Sequence, residues 1–214
     1  MINLVIHGHR GRLATRVIKN LENQTNIRYA GYIDRLYDLT ILRVNKDVVI
    51  LDISSDEGCK NLLTNLIKQN IKFPIIIGST GNLPNELIEE YSKSNIVYQI
   101  SNFGEGISRI LNSLKSLILS NSSIEISETH HIHKKDAPSG TAKTLADEID
   151  VKYTDIVSYR ESNVLGVHTI TIKNDYEKIT LTHETINSDV FAQGCIKVIS
   201  NIFNKDIGLY YKLD

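Results

Sequence analysis

The chain has 214 residues, with 24 lysines and arginines against 25 acids for a formal charge of −1, so one large or two small domains are expected. That balance gives no footprint for a nucleic-acid binder and no polybasic membrane patch. Cys59 and Cys195 lie far apart and belong to no C-x-x-C, which argues against a disulfide framework or cysteine-rich zinc site. No apolar run approaches the roughly 18 residues of a membrane span, and the opening Ile2-Asn3-Leu4-Val5-Ile6 reads as a strand, not a leader. A soluble cytoplasmic protein is the expectation.

In chain order, Ile2–Ile6, Arg28–Ile33, Val48–Ile53, Pro74–Ile77 and Ile96–Ile100 are predicted strands. Between them Leu13–Leu21, Cys59–Gln69 and Asn85–Ser94 show helix spacing. Strands alternating with short helices imply right-handed βαβ units and a parallel sheet covered on both faces. After Phe103 the pattern changes. A helix is predicted over Glu105–Ser120, a strand over Ile124–His130, and a loop then helix from Pro138 to Ile149. Two alternating strands follow near Val167–Lys173 and Glu177–Glu184, joined at Asn174-Asp175. A last helix spans Ala192–Phe203.

Gly8-His9-Arg10-Gly11-Arg12-Leu13-Ala14 joins the first strand to the first helix as G-x-x-G-x-x-A. One glycine suits a sharp turn, the other a close approach to pyrophosphate, and a small third residue lets helix and strand pack. A tight turn without ligand is the plainer reading. Asp34 stands 20 residues after Ala14, where an acid accepts hydrogen bonds from an adenosine ribose; Arg35 suits a 2′-phosphate, unless the two are a solvated pair. Gly78-Ser79-Thr80-Gly81 ends the fourth strand and offers a second cofactor wall, or simply a helix cap.

Glu128 to Ala142 reads Glu-Thr-His-His-Ile-His-Lys-Lys-Asp-Ala-Pro-Ser-Gly-Thr-Ala. If the strand from Ile124 stays extended, period 2 puts His130 and Lys134 on one face as proton donors and cations for an anionic substrate. The N–H groups of Gly140 and Thr141 at a helix start suit a carboxylate. A polar loop before a capped helix explains Ser139 and Pro138 but not three histidines and two lysines within six residues. A metal-dependent hydrolase would use His131-x-His133 with His168 or His183, but the two lysines would repel the cation.

This segment resembles the 4-hydroxy-tetrahydrodipicolinate reductase (dihydrodipicolinate reductase) family, whose E-x-H-H-x-x-K-x-D-A-P-S-G-T-A pattern it matches at every fixed position. The likeness extends to Gly8–Leu13, Asp34-Arg35, Gly78–Gly81, Ser101-Asn102-Phe103-Gly104 and the helix entry at Ala192-Gln193-Gly194. It implies an α/β fold: a Rossmann-like parallel-sheet domain (1–102 plus 192–214) and a smaller α+β substrate and oligomerisation domain (103–191). It also implies an oxidoreductase of lysine and diaminopimelate biosynthesis using NADH and NADPH, acting on a small cyclic imine dicarboxylate and assembled as a homo-oligomer, a tetramer before a dimer. No metal is implied.

Carried over by position, His130 resembles the acid/base residue and Lys134 the proton donor, while His131, Gly140 and Thr141 match residues that hold carboxylates. Gly8, His9, Arg10, Gly11, Arg12, Leu13, Asp34, Arg35, Gly78, Ser79, Thr80, Ile100, Ser101, Asn102 and Phe103 match cofactor contacts. The chain is shorter than usual members between Tyr37 and Asp47 and between Asn163 and His168. Leu13 and Ala14 replace the common Met and Gly, Ser79 replaces Thr, and Asp56 stands where proline is common. A regulatory module that kept the dinucleotide fold and lost turnover is the alternative that the shortening suggests. For the oligomer, Ile170, Ile172, Ile179 and Leu181 are the apolar face expected at the interface.

Overall fold

The computed structural model describes residues 1–211. Its elements run Ile2–His7 (β1), Arg12–Asn20 (α1), Ile27–Ile33 (β2), Thr40–Val44 (α2), Val48–Asp52 (β3), Asp56–Lys68 (α3), Ile75–Ile77 (β4), Asn85–Ser92 (α4) and Ile96–Gln99 (β5). There follow Glu105–Ser113 (α5), Ser123–His130 (β6), Gly140–Glu148 (α6), Val157–Arg160 (β7), Val167–Lys173 (β8), Lys178–Glu184 (β9), Asp189–Asn201 (α7) and Gly208–Tyr210 (β10). Two compact units result: Met1–Phe103 with the chain from Phe191 onward, and Gly104–Val190. The end of the expected 192–214 segment, residues 212–214, lies outside the described residues.

In the first unit six parallel strands are ordered β10-β5-β4-β3-β1-β2. All five residues of β3, Val-Val-Ile-Leu-Asp, are buried, as expected for a strand covered on both faces. Alternation divides the apolar side chains. Leu4, Ile6, Val49 and Leu51 pack with Ala14 and Val17 of α1 and with Cys195 and Ile199 of α7. Val5, Val48 and Ile50 face Leu62, Leu63 and Leu66 of α3 and Ile88 of α4. Each such aliphatic side chain contributes about 1.5–3 kcal/mol on full burial. The strand order reverses between β1 and β3, and ligands of open α/β sheets bind outside the carboxyl ends of the strands at such a point.

The second unit holds a four-stranded sheet ordered β7-β6-β8-β9, in which β6 and β7 are parallel and the other pairs antiparallel. One face is apolar at its far end. Ile126, Ile170 and Leu181 stand opposite one another, as do Ile124, Ile172 and Ile179, and these pack with Leu111, Ala142, Leu145 and Ala146 of α5 and α6. Ile170 and Ile172 are fully buried there. That corrects the expected interface, because those isoleucines face the unit's own core.

The predicted helix over Glu105–Ser120 ends at Ser113 and passes into a tighter turn over Leu114–Leu117. Ser113 Oγ bonds back to the Arg109 and Ile110 carbonyls and Ser116 Oγ to that of Ser113, serines that compete with the helical ladder. The turn at Asn174-Asp175 is a four-residue loop, Asn174–Glu177, folded around Asn174 Oδ1, which accepts from the Tyr176 and Glu177 N–H groups at 2.9 Å. Gly194 lies within α7, not at its entry; a side chain there would run into the Phe103 carbonyl.

Candidate active site

In the first unit the parallel strands bring the Gly-rich turn, Asp34-Arg35, Gly78–Thr80 and Ile100–Phe103 to one edge of the sheet. Gly8 has φ +90, and a Cβ on it would lie 2.5 Å from the Ile53 carbonyl oxygen, so the β3–α3 loop requires a glycine here. Gly11 donates to the Gly8 carbonyl at 3.0 Å and caps α1 without a side-chain hydrogen bond. Ala14, the small third residue of the motif, is fully buried. Around this turn lies a pocket of about 850 Å³, lined among others by Gly8, His9, Arg10, Gly11, Asp34 and Arg35. Arg12 and Leu13 open α1. Asp34 Oδ1 accepts from the Leu36 N–H at 2.8 Å, which orders the turn after β2, and His9 stacks on Tyr32 at 3.8 Å.

The other expected contacts divide by depth. Thr80 is exposed, whereas Ser79 is buried and donates its hydroxyl to Asp52 at 3.0 Å. The Ile100 and Phe103 side chains belong to the apolar core, so a ligand would meet only backbone there, and the Ile100 N–H is already given to the Ile77 carbonyl at 2.9 Å. Ser101 and Asn102 follow β5 between them.

Sequence reasoning missed a buried pair on the same edge. His7 Nδ1 lies 2.8 Å from Asp52 Oδ1, which also accepts from Ser54 Oγ at 2.6 Å. The available signal was a charged or polar residue closing each of two apolar runs, His7 after Leu4-Val5-Ile6 and Asp52 after Val48–Leu51.

In the second unit the inward face of the sheet changes from apolar to polar at one row. Ser158, Glu128, His168 and His183 stand opposite one another across β7, β6, β8 and β9. The Glu128 carboxylate is fully buried. It accepts from the Ser139 N–H with both oxygens at 3.1 Å, from Ser158 Oγ at 2.9 Å and from the Arg160 guanidinium at 3.4 Å. His130 Nδ1 approaches it to 3.3 Å. Burial alone would raise the Glu128 carboxyl, yet hydrogen bonding by His130, Ser139 and Ser158 holds it well below the usual carboxylate range.

Ser139 links this carboxylate to α6. Its Oγ accepts from the Ala142 N–H at 3.2 Å, capping the helix, and lies 3.2 Å from His168 Nε2. Burial first, then the charges of His130, His183 and Lys134, push the His168 imidazole down to about 3 against the opposing pull of Glu128. His168 is therefore neutral, with one ring nitrogen a donor and the other an acceptor, and its Nε2 shares a hydrogen bond with the Ser139 hydroxyl. Gly140 and Thr141 are the first residues of α6, Thr141 being buried.

Lys134 arrives by a different route from the one predicted. β6 ends at His130, and His131 to Lys134 form a turn closed by Lys134 N–H to the His131 carbonyl at 3.0 Å. A turn, not a continued pleat, sets its position, and its ammonium pairs with Asp136 at 2.8 Å. Arg160 braces this turn through the Asp136 carbonyl at 2.6 Å and the Lys134 carbonyl at 3.3 Å. The His131 and His133 rings lie 6.2 Å apart. The rival metal-site reading names His131 and His133 with His168 or His183, whereas among the described residues the group with ligand spacing is Glu128, His130 and His168.

Comparison with known proteins covers the whole chain. A family model described as "Dihydrodipicolinate reductase, N-terminus" matches residues 2–103, and one described as "Dihydrodipicolinate reductase, C-terminus" matches residues 105–214. The chain is 32% identical over 237 residues to 4-hydroxy-tetrahydrodipicolinate reductase of Campylobacter lari, covering 98% of this chain and 97% of that one. The Rickettsia bellii enzyme of the same name is also 32% identical, with 100% and 94% covered. Among solved structures, a dipicolinate-bound dihydrodipicolinate reductase from Paenisporosarcina sp. TG-14 superposes with a TM-score of 0.70 at 22% identity, covering 100% of this chain and 98% of that one.

Proposed function

The chain belongs to the dihydrodipicolinate reductase family, and we propose from that premise how its residues divide the family's work. The reaction is reduction of 4-hydroxy-tetrahydrodipicolinate to tetrahydrodipicolinate with NADH or NADPH, a step of lysine and diaminopimelate biosynthesis. When bound, the reduced dinucleotide supplies the hydride. The turn from Gly8 to Gly11 lines the pocket and opens α1 without a side-chain cap, which fits a pyrophosphate in close contact with backbone. Gly8 to Leu13 would hold that group, Asp34 and Arg35 the adenosine ribose with or without its 2′-phosphate, and Gly78 to Thr80 with Ile100 to Phe103 the remaining wall.

His130 and Lys134 are the proton donors in this reading. The substrate loses its 4-hydroxyl as water to give a conjugated imine; as hydride then adds to a ring carbon, negative charge develops on the nitrogen side, and a positioned cation or acid that delivers a proton there lowers the barrier. The observation that carries the assignment is the brace around them: Glu128 against His130 Nδ1 at 3.3 Å and Asp136 on Lys134 at 2.8 Å. His131, with Gly140 and Thr141 at the positive end of α6, would take the substrate carboxylates; the Paenisporosarcina relative is a dipicolinate complex. Loss of reduced dinucleotide absorbance with freshly generated substrate tests the reading. Steady consumption is expected; dinucleotide binding without turnover would favour the regulatory alternative.

A cytoplasmic homo-oligomer, a tetramer before a dimer, completes the proposal. Among the described residues no helix is long and apolar enough to cross a membrane. The outward face of the second sheet carries Thr169, Thr182 and the exposed Val157 and Tyr159, and this face, not the isoleucine face, is the one we assign to the interface. Light scattering is expected to show an oligomer that Tyr159→Asp weakens. A monomer at micromolar concentration overturns the assignment.

A further inference from the structure

His7 is a buried imidazole on the wall of the ligand pocket, and the reaction as described makes no use of it. It ends β1 at the point where the strand order reverses, with its side chain 5% exposed beside a fully buried Asp52. Asp52 is saturated with donors: Ser54 Oγ and His7 Nδ1 on one oxygen, Ser79 Oγ on the other. A carboxylate only accepts, so the proton of that 2.8 Å bond sits on Nδ1. The ring is also held on its flanks. A Cβ on Gly58 would come within 3.2 Å of His7 Cε1, and the Tyr37 ring lies 5.5 Å away.

Nδ1 is thus committed, while Nε2 makes no hydrogen bond among the described residues. The ring lines the same pocket as Asp34, Arg35, Tyr37 and Asn61, beside the Gly-rich turn. A fixed imidazole whose proton is anchored behind it presents a lone pair forward, the same arrangement by which a buried carboxylate orients a histidine toward a ligand. An unmatched acceptor on a pocket wall selects a ligand that brings a donor to it.

We infer that His7, oriented by Asp52, is a binding residue for the adenosine half of the dinucleotide, its Nε2 accepting a hydrogen bond from a ribose hydroxyl or the adenine amine. This rests on the pocket being the dinucleotide site, as proposed above. The pair positions the ligand through Nε2 and ties together the loops after β3 and β4 through Ser54 and Ser79.

Two substitutions separate the ring's two nitrogens. His7→Asn keeps an amide where Nδ1 stood and removes the group at Nε2; His7→Gln does the reverse. In calorimetric titration of the full chain with NADH, His7→Asn is expected to weaken binding about 5- to 10-fold, the worth of one hydrogen bond, with thermal stability near wild type. His7→Gln is expected to lose stability and keep more of the affinity. A purely structural role would instead make affinity follow stability in both variants, and would overturn the inference.

Repeating the titration with reduced nicotinamide hypoxanthine dinucleotide identifies the donor. If the adenine amine is the partner, the wild type discriminates against the analogue and His7→Asn does not; if a ribose hydroxyl is, both discriminate equally. Asp34→Ala is the control on the underlying reading. Should it weaken NADH binding while His7→Asn does not, only this inference fails. Should neither change the affinity, the dinucleotide has been assigned to the wrong pocket.

Discussion

Each unit of this chain buries one carboxylate against a histidine, and the two are built differently. Asp52 in the first unit ends a strand whose other four residues are all apolar, and it receives hydroxyls from Ser54 and Ser79 beside His7. Glu128 in the second unit lies mid-face in a sheet and gathers a backbone N–H from the α6 cap, a hydroxyl and a guanidinium from β7, and His130 from its own strand. The first is a local device at a loop edge, beside the turn proposed to cradle the dinucleotide. The second is the junction of four elements, so the geometry of the proposed proton donors and of the proposed carboxylate clamp depends on a single side chain. A site built from backbone needs only glycine and a short brace, whereas one built from side chains needs a buried polar network whose central charge is met by several donors.

The largest effects therefore belong to the second unit. His130→Ala or Lys134→Ala is expected to lower turnover by roughly 10²–10⁴ if each acts as a general acid, with cofactor affinity nearly unchanged because neither lies in the dinucleotide unit. Steady-state rates beside a dinucleotide titration check this. Near-normal turnover in both variants would remove the proposed site from this cluster. Glu128→Ala should act on the fold as well, because it leaves Arg160 and the Ser139 N–H facing an empty buried site. About 3–5 kcal/mol is the expected loss in denaturant unfolding, against a smaller loss for Glu128→Gln, which can still accept from two donors.

Much of this arrangement was legible in the sequence, for identifiable reasons. The parallel sheet announced itself because its buried strands are continuous Val/Ile/Leu runs separated by amphipathic helices. The three elements that escaped, α2, β7 and β10, have five, four and three residues, too few for any period to emerge. β7 exists because β6 has a free edge, and Ser158 and Arg160 are placed by that pairing, which no local signal carries. The segment from Glu128 to Ala142 was readable as a motif, yet its geometry was not. Extrapolating the pleat past His130 misreads the path to Lys134, which a turn sets instead. His168 and His183 were visible only as possible metal ligands until the register aligned them with Glu128.

Acid sensitivity separates the two groups in that row. The His168 imidazole is held down to about 3 from an ordinary 6.5, so between those values the unfolded chain takes up a proton that the folded chain refuses. Stability from this residue is intact above pH 6.5 and falls as pH drops toward 3, by up to about 1.4 kcal/mol per pH unit. The Glu128 carboxyl, held below its ordinary 4.5, contributes stability that is intact above pH 4.5 and lost only below it. Unfolding measured from pH 7 to pH 5 should thus report His168 and not Glu128. His168→Gln is expected to remove about 2 kcal/mol of the decline between pH 6.5 and pH 5. An unchanged slope would mean that another group, His183 foremost since burial lowers it too, carries the effect.

The smallest expected effect returns to the first unit, where backbone does most of the holding and one exposed side chain is asked to discriminate. Asp34 and Arg35 both line the pocket, and Asp34 spends Oδ1 on the Leu36 N–H at 2.8 Å, leaving Oδ2 for ribose hydroxyls. A 2′-phosphate would meet that carboxylate with like charge unless a cation offset it, and Arg35 is the adjacent cation. Being exposed, its guanidinium is screened by water and salt, so its contribution is modest. Arg35→Ala is expected to raise the Michaelis constant for NADPH several-fold, on the order of 1 kcal/mol of binding, while that for NADH changes by less than twofold. Raising the ionic strength should erode the wild-type affinity for NADPH and leave the variant's nearly flat. Equal effects on the two dinucleotides would show that Arg35 does not meet the 2′ position and that Arg10, which lines the same pocket, is the residue to replace next.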